Sequence, residues 1–358
     1  MLNRILHPFF GHLFKVLLLL AFGYFSLPIS AETLRFDLDF DGLFDNREFK
    51  GDMKPQTIEG MRLTPQIGIE SQNSCLMFGV SKVWEFGTFN KSAPEAILYF
   101  NYNNEKISTY FGAMPRNVLH KQLPDAFLYD SIAFFDNRIE GIILQYESPS
   151  FSTEVYCNWF SKQSTTRREA FRIVSDGRIG KEFISGGWFL ALTHYAKPST
   201  GDYHIYEKCS FNPYIEFNLD RFLPYSYHLN VNAGLMSSFI RSRIEDSWHS
   251  PLGFLGSIDT SWKFINLRNT TYAGKAQQEF LHDPMAGVEF HRSDPFYNHS
   301  FYNRTDMGIT WKMNDYSEAS FTWSLHVTPN TELHNQQLIK VKFYFCNRKA
   351  INISPLLK

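Results

Sequence analysis

From Thr33 onward, apolar and polar residues alternate with period two in one segment after another, and only a β-strand puts such residues on two opposite faces. Leu34, Phe36, Leu38 and Phe40 alternate with Arg35, Asp37 and Asp39. Met61, Leu63, Ile67 and Ile69 oppose Arg62, Thr64 and Gln66, with Pro65 reading as a bulge or edge-like spot. The same pattern recurs at 96–102, 151–159, 215–219, 227–235, 304–313, 319–327 and 339–345, with weaker runs at 74–83, 106–113, 139–147, 169–175, 183–194, 252–262 and 265–273. The reading is all-β, with about sixteen strands and bounds of roughly 14 to 18.

The connections sharpen this expectation. Those after odd-numbered strands are mostly long: 41–59, 84–94, 114–138, 196–210, 240–251 and 274–301. Those after even-numbered strands are short, as at Gln72-Asn73, Asn103-Asn104, Asp176-Gly177-Arg178 and Asn314-Asp315. An even strand count with alternating loop lengths is the pattern of a single up-and-down antiparallel transmembrane β-barrel, with short periplasmic turns and long outer loops. A soluble exported β-sandwich alternates too. Large aromatics on the apolar face, including Trp159, Trp262, Trp311 and Trp323, argue against it. Aromatics make up 17% of the chain, as suits a sheet protein with aromatic belts at a membrane surface.

The first 31 residues read as a cleavable signal peptide: Arg4 and Lys15, the apolar run Val16–Phe22, then Ser30-Ala31. Residues 32–345 form the expected barrel, leaving 346–358 as a C-terminal extension. The expected location is therefore the bacterial outer membrane, with its lipid and its barrel-assembly machinery as partners. With 35 basic and 36 acidic residues there is no electrostatic case for nucleic acid. Cys75, Cys157, Cys209 and Cys346 are scattered without a C-x-x-C pair, which reads as free thiols. Oligomeric state is not legible.

Residues 37–48, DLDFDGLFDNRE, fit the EF-hand pattern D-x-[DN]-x-[DN]-G-x5-E. An EF-hand needs helices on both sides of its loop. Here the upstream segment alternates as a strand, and Gly51 and Pro55 follow downstream, so the match reads as accidental.

If the apolar face meets lipid, the opposite face lines the lumen. The charged pore-lining candidates are Arg35, Asp37, Asp39, Arg62, Glu154, Arg172, Glu216, Arg304, Asp306, Lys312, Lys340 and Lys342. In a wide lumen they are expected to stay solvated and to set a transverse field acting on small polar solutes. His282, Asp283, Glu289, His291, Asp294, His299 and Asp306 are donor types for a divalent ion, but no ligand spacing organises them. No G-x-S-x-G elbow occurs. Ser324 and His326 share a face but lie about 7 Å apart along the strand, too far for direct proton transfer. No cofactor, metal or catalytic site is expected.

The stretches Phe44–Phe49, Ser164–Glu169, Asn269–Gly274, Asp294–Tyr297 and Tyr302–Asp306 resemble a family of porin-type bacterial outer-membrane barrels without an assigned activity. The last strand, ending in the aromatic Phe345, is similar to the signal that barrel-assembly machinery recognises. The resemblance implies a porin-like channel for passive passage of small polar solutes. A barrel plugged by its loops that binds a ligand or acts in adhesion, and a barrel-type hydrolase, are the alternative functions. Loop 114–138, with Met114-Pro115-Arg116 and Pro124, is the segment expected to fold inward if any does.

Overall fold

The computed structural model describes residues 32–51, 53–88, 93–165, 167–196, 205–242, 247–278, 292–329 and 332–347. The expected signal peptide and the residues after 347 lie outside these. The strands are β1 (Glu32–Glu48), β2 (Gln56–Ser71), β3 (Ser74–Glu85), β4 (Glu95–Asn103), β5 (Ile107–Pro115), β6 (Arg138–Ser148), β7 (Phe151–Ser161), β8 (Ala170–Gly180) and β9 (Ile184–Tyr195). The second half holds β10 (Tyr206–Asn218), β11 (Tyr227–Ser242), β12 (Ser247–His249), β13 (Leu252–Trp262), β14 (Ile265–Gly274), β15 (Phe301–Asn314), β16 (Ser317–Val327) and β17 (Leu333–Cys346). Neighbours in sequence pair antiparallel, and β17 pairs with β1 from Asp37↔Cys346 to Glu48↔Asn335, closing the ring. The three-residue β12 and β13 both pair with β11, so they make one stave and the barrel has sixteen. Closure leaves no free edge, the condition for a sheet to cross a bilayer. The sandwich reading is overturned.

The predicted faces hold. In β4, Ile97, Tyr99 and Asn101 are buried while Leu98, Phe100 and Tyr102 are exposed. The same outward exposure of large apolar side chains runs around the wall, through Phe111, Ile142, Trp159, Leu235, Phe254 and Trp311. An apolar surface of that extent is unstable against water and suited to hydrocarbon. Two of the stretches that carried the family resemblance meet on this outward wall. Asn269 of β14 and Asn303 of β15 exchange amide hydrogen bonds, each 3.1 Å, and Thr271 and Thr305 fill their remaining valences. A reciprocal amide pair of this kind satisfies its own polar groups where no water is present to do so.

One local expectation holds and one changes. Residues 37–48 lie within the unbroken 17-residue β1, which removes the calcium-loop geometry altogether. Pro65 stands on the outward face and causes no shift in register to β1 or β3. The interruption that matters is elsewhere, in the paired strands β5 and β6. Gly112 and Gly141 face each other there with φ of 131° and 153°. A Cβ at either would stand 2.2 Å from a neighbouring strand's carbonyl oxygen. These residues form the wall from which residues 116–137 leave for the interior.

Candidate functional site: a lumen narrowed by its own loop

Residues 116–137, including the helix α1 (Asp130–Phe135), fold into the barrel and are fastened on several sides. From β6, Gln145 donates to the Val118 carbonyl at 2.9 Å. From β7, Glu154 accepts the His120 N–H at 3.1 Å. Arg172 of β8 donates to the Phe127 carbonyl at 2.7 Å, and Arg62 of β2 to that of Phe134. Across the lumen, Arg304 of β15 pairs with Asp125 at 2.6 Å and Lys340 of β17 with Asp130 at 3.6 Å. Apolar contact seals the same arrangement. Phe127 packs on Phe189, Arg47 lies over the Tyr129 ring, and Met77, Ile143 and Val174 of the wall are fully buried beneath.

A second segment enters beside it. Residues 292–299 carry a 3-10 turn, Pro295–Asn298, capped by Asp294, which accepts the Phe296 N–H. The two segments are joined through Asp294 N–H to the Asp125 carbonyl and Tyr129 N–H to the Arg292 carbonyl, each 2.8 Å. Phe296 stacks on both Tyr302 and His326, which lie side by side. Gln336 donates to Asp45 at 2.7 Å, so its amide oxygen faces His326 and accepts from Nε2 at 3.1 Å. That fixes the tautomer: His326 Nδ1 accepts from the Tyr302 hydroxyl at 2.7 Å. His326→Leu leaves the buried Gln336 amide oxygen without a partner and the Tyr302 hydroxyl with only its longer bond to Asp294 at 3.3 Å, and the expected loss is about 1–3 kcal/mol of unfolding free energy. Urea unfolding of the detergent-folded barrel checks this; an unchanged midpoint contradicts the assignment.

The carboxyls of the two inward segments differ in charge behaviour. Burial, then the neighbouring Asp130, holds Asp125 above the ordinary carboxylate range, and burial pushes Asp294 up to about 6. Asp130 is also penalised by burial, but Lys340 and Arg304 outweigh it and hold it below the usual range. Groups whose pKa rises on insertion favour the inserted state below their free value of about 4, and this advantage is lost as pH rises through about 6. His120, lowered by desolvation, acts in the opposite sense below about pH 6.5, but is a single group against two carboxyls. The expected outcome is a steadier channel at pH 5 than at pH 8, with more frequent jumps to higher conductance at pH 8. The reverse trend in bilayer recordings would count against the anchoring scheme.

The twelve candidate residues separate into three groups. Asp37, Asp39, Arg62, Glu154, Arg172 and Arg304 are buried, not solvated as expected. The reason is the loop, which displaces the water that a wide lumen would supply. Arg35, Glu216, Asp306 and Lys340 are half-buried. Arg35 pairs with Asp37 at 2.7 Å and Glu216 with Arg178 at 3.5 Å. Lys312 and Lys342 are exposed, and the register sets them in one row of alternating sign: Lys312, Glu318, Lys342, Asp41, Arg62. Residues missed by the sequence reading are Asp125, Asp130 and Asp136, whose role comes from where the loop lands. Sequence signals only that this loop is long.

The filling is one-sided. Inward residues of β3 to β9 are mostly buried, among them Met77, Tyr99, Glu154, Tyr156 and Phe189. Opposite them, Ser257, Asp259, Thr270, Thr310, Ser320 and Thr322 on β13 to β16 are half-exposed, and Arg268, paired with Asp259 at 3.1 Å, is exposed. A hydroxyl-rich, charged strip of wall therefore stays wet beside the loop. Among the described residues no group of three or more His, Cys, Asp or Glu side chains is placed to hold a metal. Of the donors in 274–306, residues 279–291 lie outside the described part. Ser324 donates to Asp306 while His326 engages Tyr302 and Gln336, so these two do not form a nucleophile and base. None of the four cysteines is joined in a disulfide.

A family model described as lipid A 3′-O-deacylase-type matches residues 27–182, less than half of the chain. A search of curated proteins by sequence gave no match. Several solved structures match in shape. Outer-membrane expressed OmpT of Vibrio cholerae superposes with a TM-score of 0.53 at 10% identity, covering 89% of this chain and 99% of that one. An anion-selective porin from Comamonas acidovorans gives 0.52 at 10%, covering 88% and 99%. OccAB4 of Acinetobacter baumannii gives 0.51 at 9%, covering 89% and 100%. With closure, strand number and loop placement already in hand, these likenesses agree on the architecture: the chain has the fold of a porin-like outer-membrane barrel.

Proposed function

We propose that this chain is an outer-membrane channel through which small polar solutes pass passively along the β13–β17 side of a lumen narrowed by residues 116–137. The observation that carries the reading is the division of charge at the narrowing. The loop presents Asp125 and Asp130, the wall presents Arg304 and Lys340, and the polar strip of β13 to β16 stays accessible beside them. Opposed charges across a narrow, partly desolvated passage orient a dipolar or charged solute and penalise an apolar one. The test is swelling of liposomes containing the refolded chain, in solutions of amino acids, small sugars and larger oligosaccharides. Fast swelling with small solutes and none with large ones supports the reading; no swelling with any solute, with insertion verified, overturns it.

The partial family match favours one second reading, a hydrolase acting on an acyl ester of lipid A. Acyl transfer to water needs a nucleophile or activated water beside a base. The Ser324 and His326 pairings supply none. Mass spectrometry of lipid A incubated with the refolded chain tests it: loss of an acyl chain would replace the channel reading.

A further inference from the structure

One periplasmic turn is not short. The connections 72–73, 104–106, 149–150, 181–183, 263–264 and 315–316 are two or three residues long, whereas 219–226, between β10 and β11, has eight. Its own groups hold those residues in one shape. Asp220–Phe222 form a 3-10 turn. Asp220 accepts the Leu229 N–H at 2.9 Å and pairs with His228 Nδ1 at 2.9 Å, while Asn218 accepts the Asp220 N–H at 3.0 Å. Tyr227 N–H donates to the Pro224 carbonyl at 2.9 Å and closes the turn on the β11 side.

That shape displays aromatic surface and joins it to the lipid-facing wall. Tyr225 is fully exposed and Phe222 is 63% exposed. Phe217, on the outward face in register with Ile184 and Val231, lies 6.3 Å from the Phe183 ring, and Phe183 lies 5.8 Å from Phe222. On the other flank Tyr227 stacks on Trp262 at 5.8 Å, beside the exposed Phe264. The apolar wall therefore continues from the strands onto the turns, at the depth where acyl chains give way to headgroups. Two cations are set into this surface. Arg221 lies over the rings of Phe183 and Phe222, at 4.2 and 4.6 Å, and Lys263 Nζ lies 5.0 Å from the Trp262 ring. Their turns touch, because Lys263 N–H donates to the Ser226 carbonyl at 3.4 Å. Among the described residues neither cation has a carboxylate within 4.0 Å, and Asp220, next to Arg221, is engaged by His228. A ring face orients a cation and leaves its N–H groups unspent.

We infer that turn 219–226, with Lys263 beside it, is a docking site for an anionic phospholipid of the periplasmic leaflet. The rings enter the acyl-chain boundary, and Arg221 and Lys263 take the headgroup phosphate through charge-assisted hydrogen bonds. Continuity with the lipid-facing wall makes lipid the occupant, and the two cations select a headgroup of net negative charge over a zwitterionic one. Lys181 and Glu182 of the neighbouring β8–β9 turn are both exposed and offset each other, so the selection rests on Arg221 and Lys263. The site lies on the outside of the barrel, apart from the lumen.

The test is native mass spectrometry of the full mature chain, folded in detergent and stripped of lipid, with phosphatidylglycerol and phosphatidylcholine of the same acyl chains added in equal amounts. The expected result is a roughly fivefold excess of bound phosphatidylglycerol in wild type, falling to near equality in the double variant Arg221→Gln, Lys263→Gln. Lys106→Gln, on the β4–β5 turn, controls for bulk charge and is expected to keep the excess. Equal retention of the two lipids by wild type overturns the site, as does an excess that survives the double variant or falls equally in Lys106→Gln. Weaker retention of both lipids in Phe222→Ser, Tyr225→Ser supports the placement of the rings in the leaflet. Unchanged retention there overturns that placement and leaves the rings to a periplasmic protein. Heat-modifiable mobility on a detergent gel shows that each variant is closed; if the double variant is not, Lys263→Gln alone is read in the same way. No conductance enters these measurements, so failure of the channel reading leaves them interpretable.

Discussion

Excising residues 116–137 and joining Pro115 to Arg138 by a short Gly-Ser turn is expected to raise single-channel conductance several-fold. A sixteen-stave barrel without an inward loop encloses a continuous aqueous channel. Here that space is taken by Phe127, Leu128, Tyr129 and α1, pinned to β2, β6, β7, β8, β15 and β17. Excision leaves the wall ladder from β5 to β6 intact. Met77, Ile143 and Val174 then face water, at a cost of about 25 cal/mol for each Å² of apolar surface exposed. The barrel is expected to lose stability yet stay closed, because the hydrogen bonds of sixteen staves do not involve the loop. Heat-modifiable mobility on a detergent gel verifies closure before conductance is read. An unchanged conductance in a closed, inserted variant would show that current does not run past this loop.

The double variant Asp125→Asn, Asp130→Asn is expected to shift selectivity toward anions by roughly two- to fivefold in permeability ratio. It removes the acidic side of the narrowing and keeps the basic side, Arg304 and Lys340, in place. Arg304 retains Asp306 at 2.7 Å, so the variant does not strand a fully unpaired buried cation. Lys340→Glu is the complementary change and is expected to move selectivity toward cations. Reversal potentials in a tenfold salt gradient measure both. Shifts of the same sign in the two variants would mean that these residues do not face the permeation path.

Fold and site were legible in the chain to different depths, for a physical reason. Alternation at Leu98, Phe100 and Tyr102, or at Phe321, Trp323 and Leu325, is imposed by lipid on one face, so strand, face and number of staves are written locally. Alternating loop lengths reported the up-and-down order in the same local way. What residues 116–137 do inside the barrel is not local. Arg304 and Asp125 are 179 positions apart, and nothing near either residue marks the other. The same long-range packing explains why Glu154 and Arg62, expected in water, are buried. It also explains why residues 37–48 could imitate a calcium loop: inward carboxylates at every second position serve Arg35, Arg47 and Arg62 in a strand.

The central claim is that this barrel is open to water along β13–β17 while residues 116–137 narrow it. Single-channel recording of the mature chain, refolded from detergent into a planar bilayer at two salt concentrations, addresses it directly. Small, uniform steps that scale with salt concentration are the predicted result. A silent bilayer, with insertion shown independently, would contradict the claim and leave a loop-filled barrel whose work is done at its outer surface.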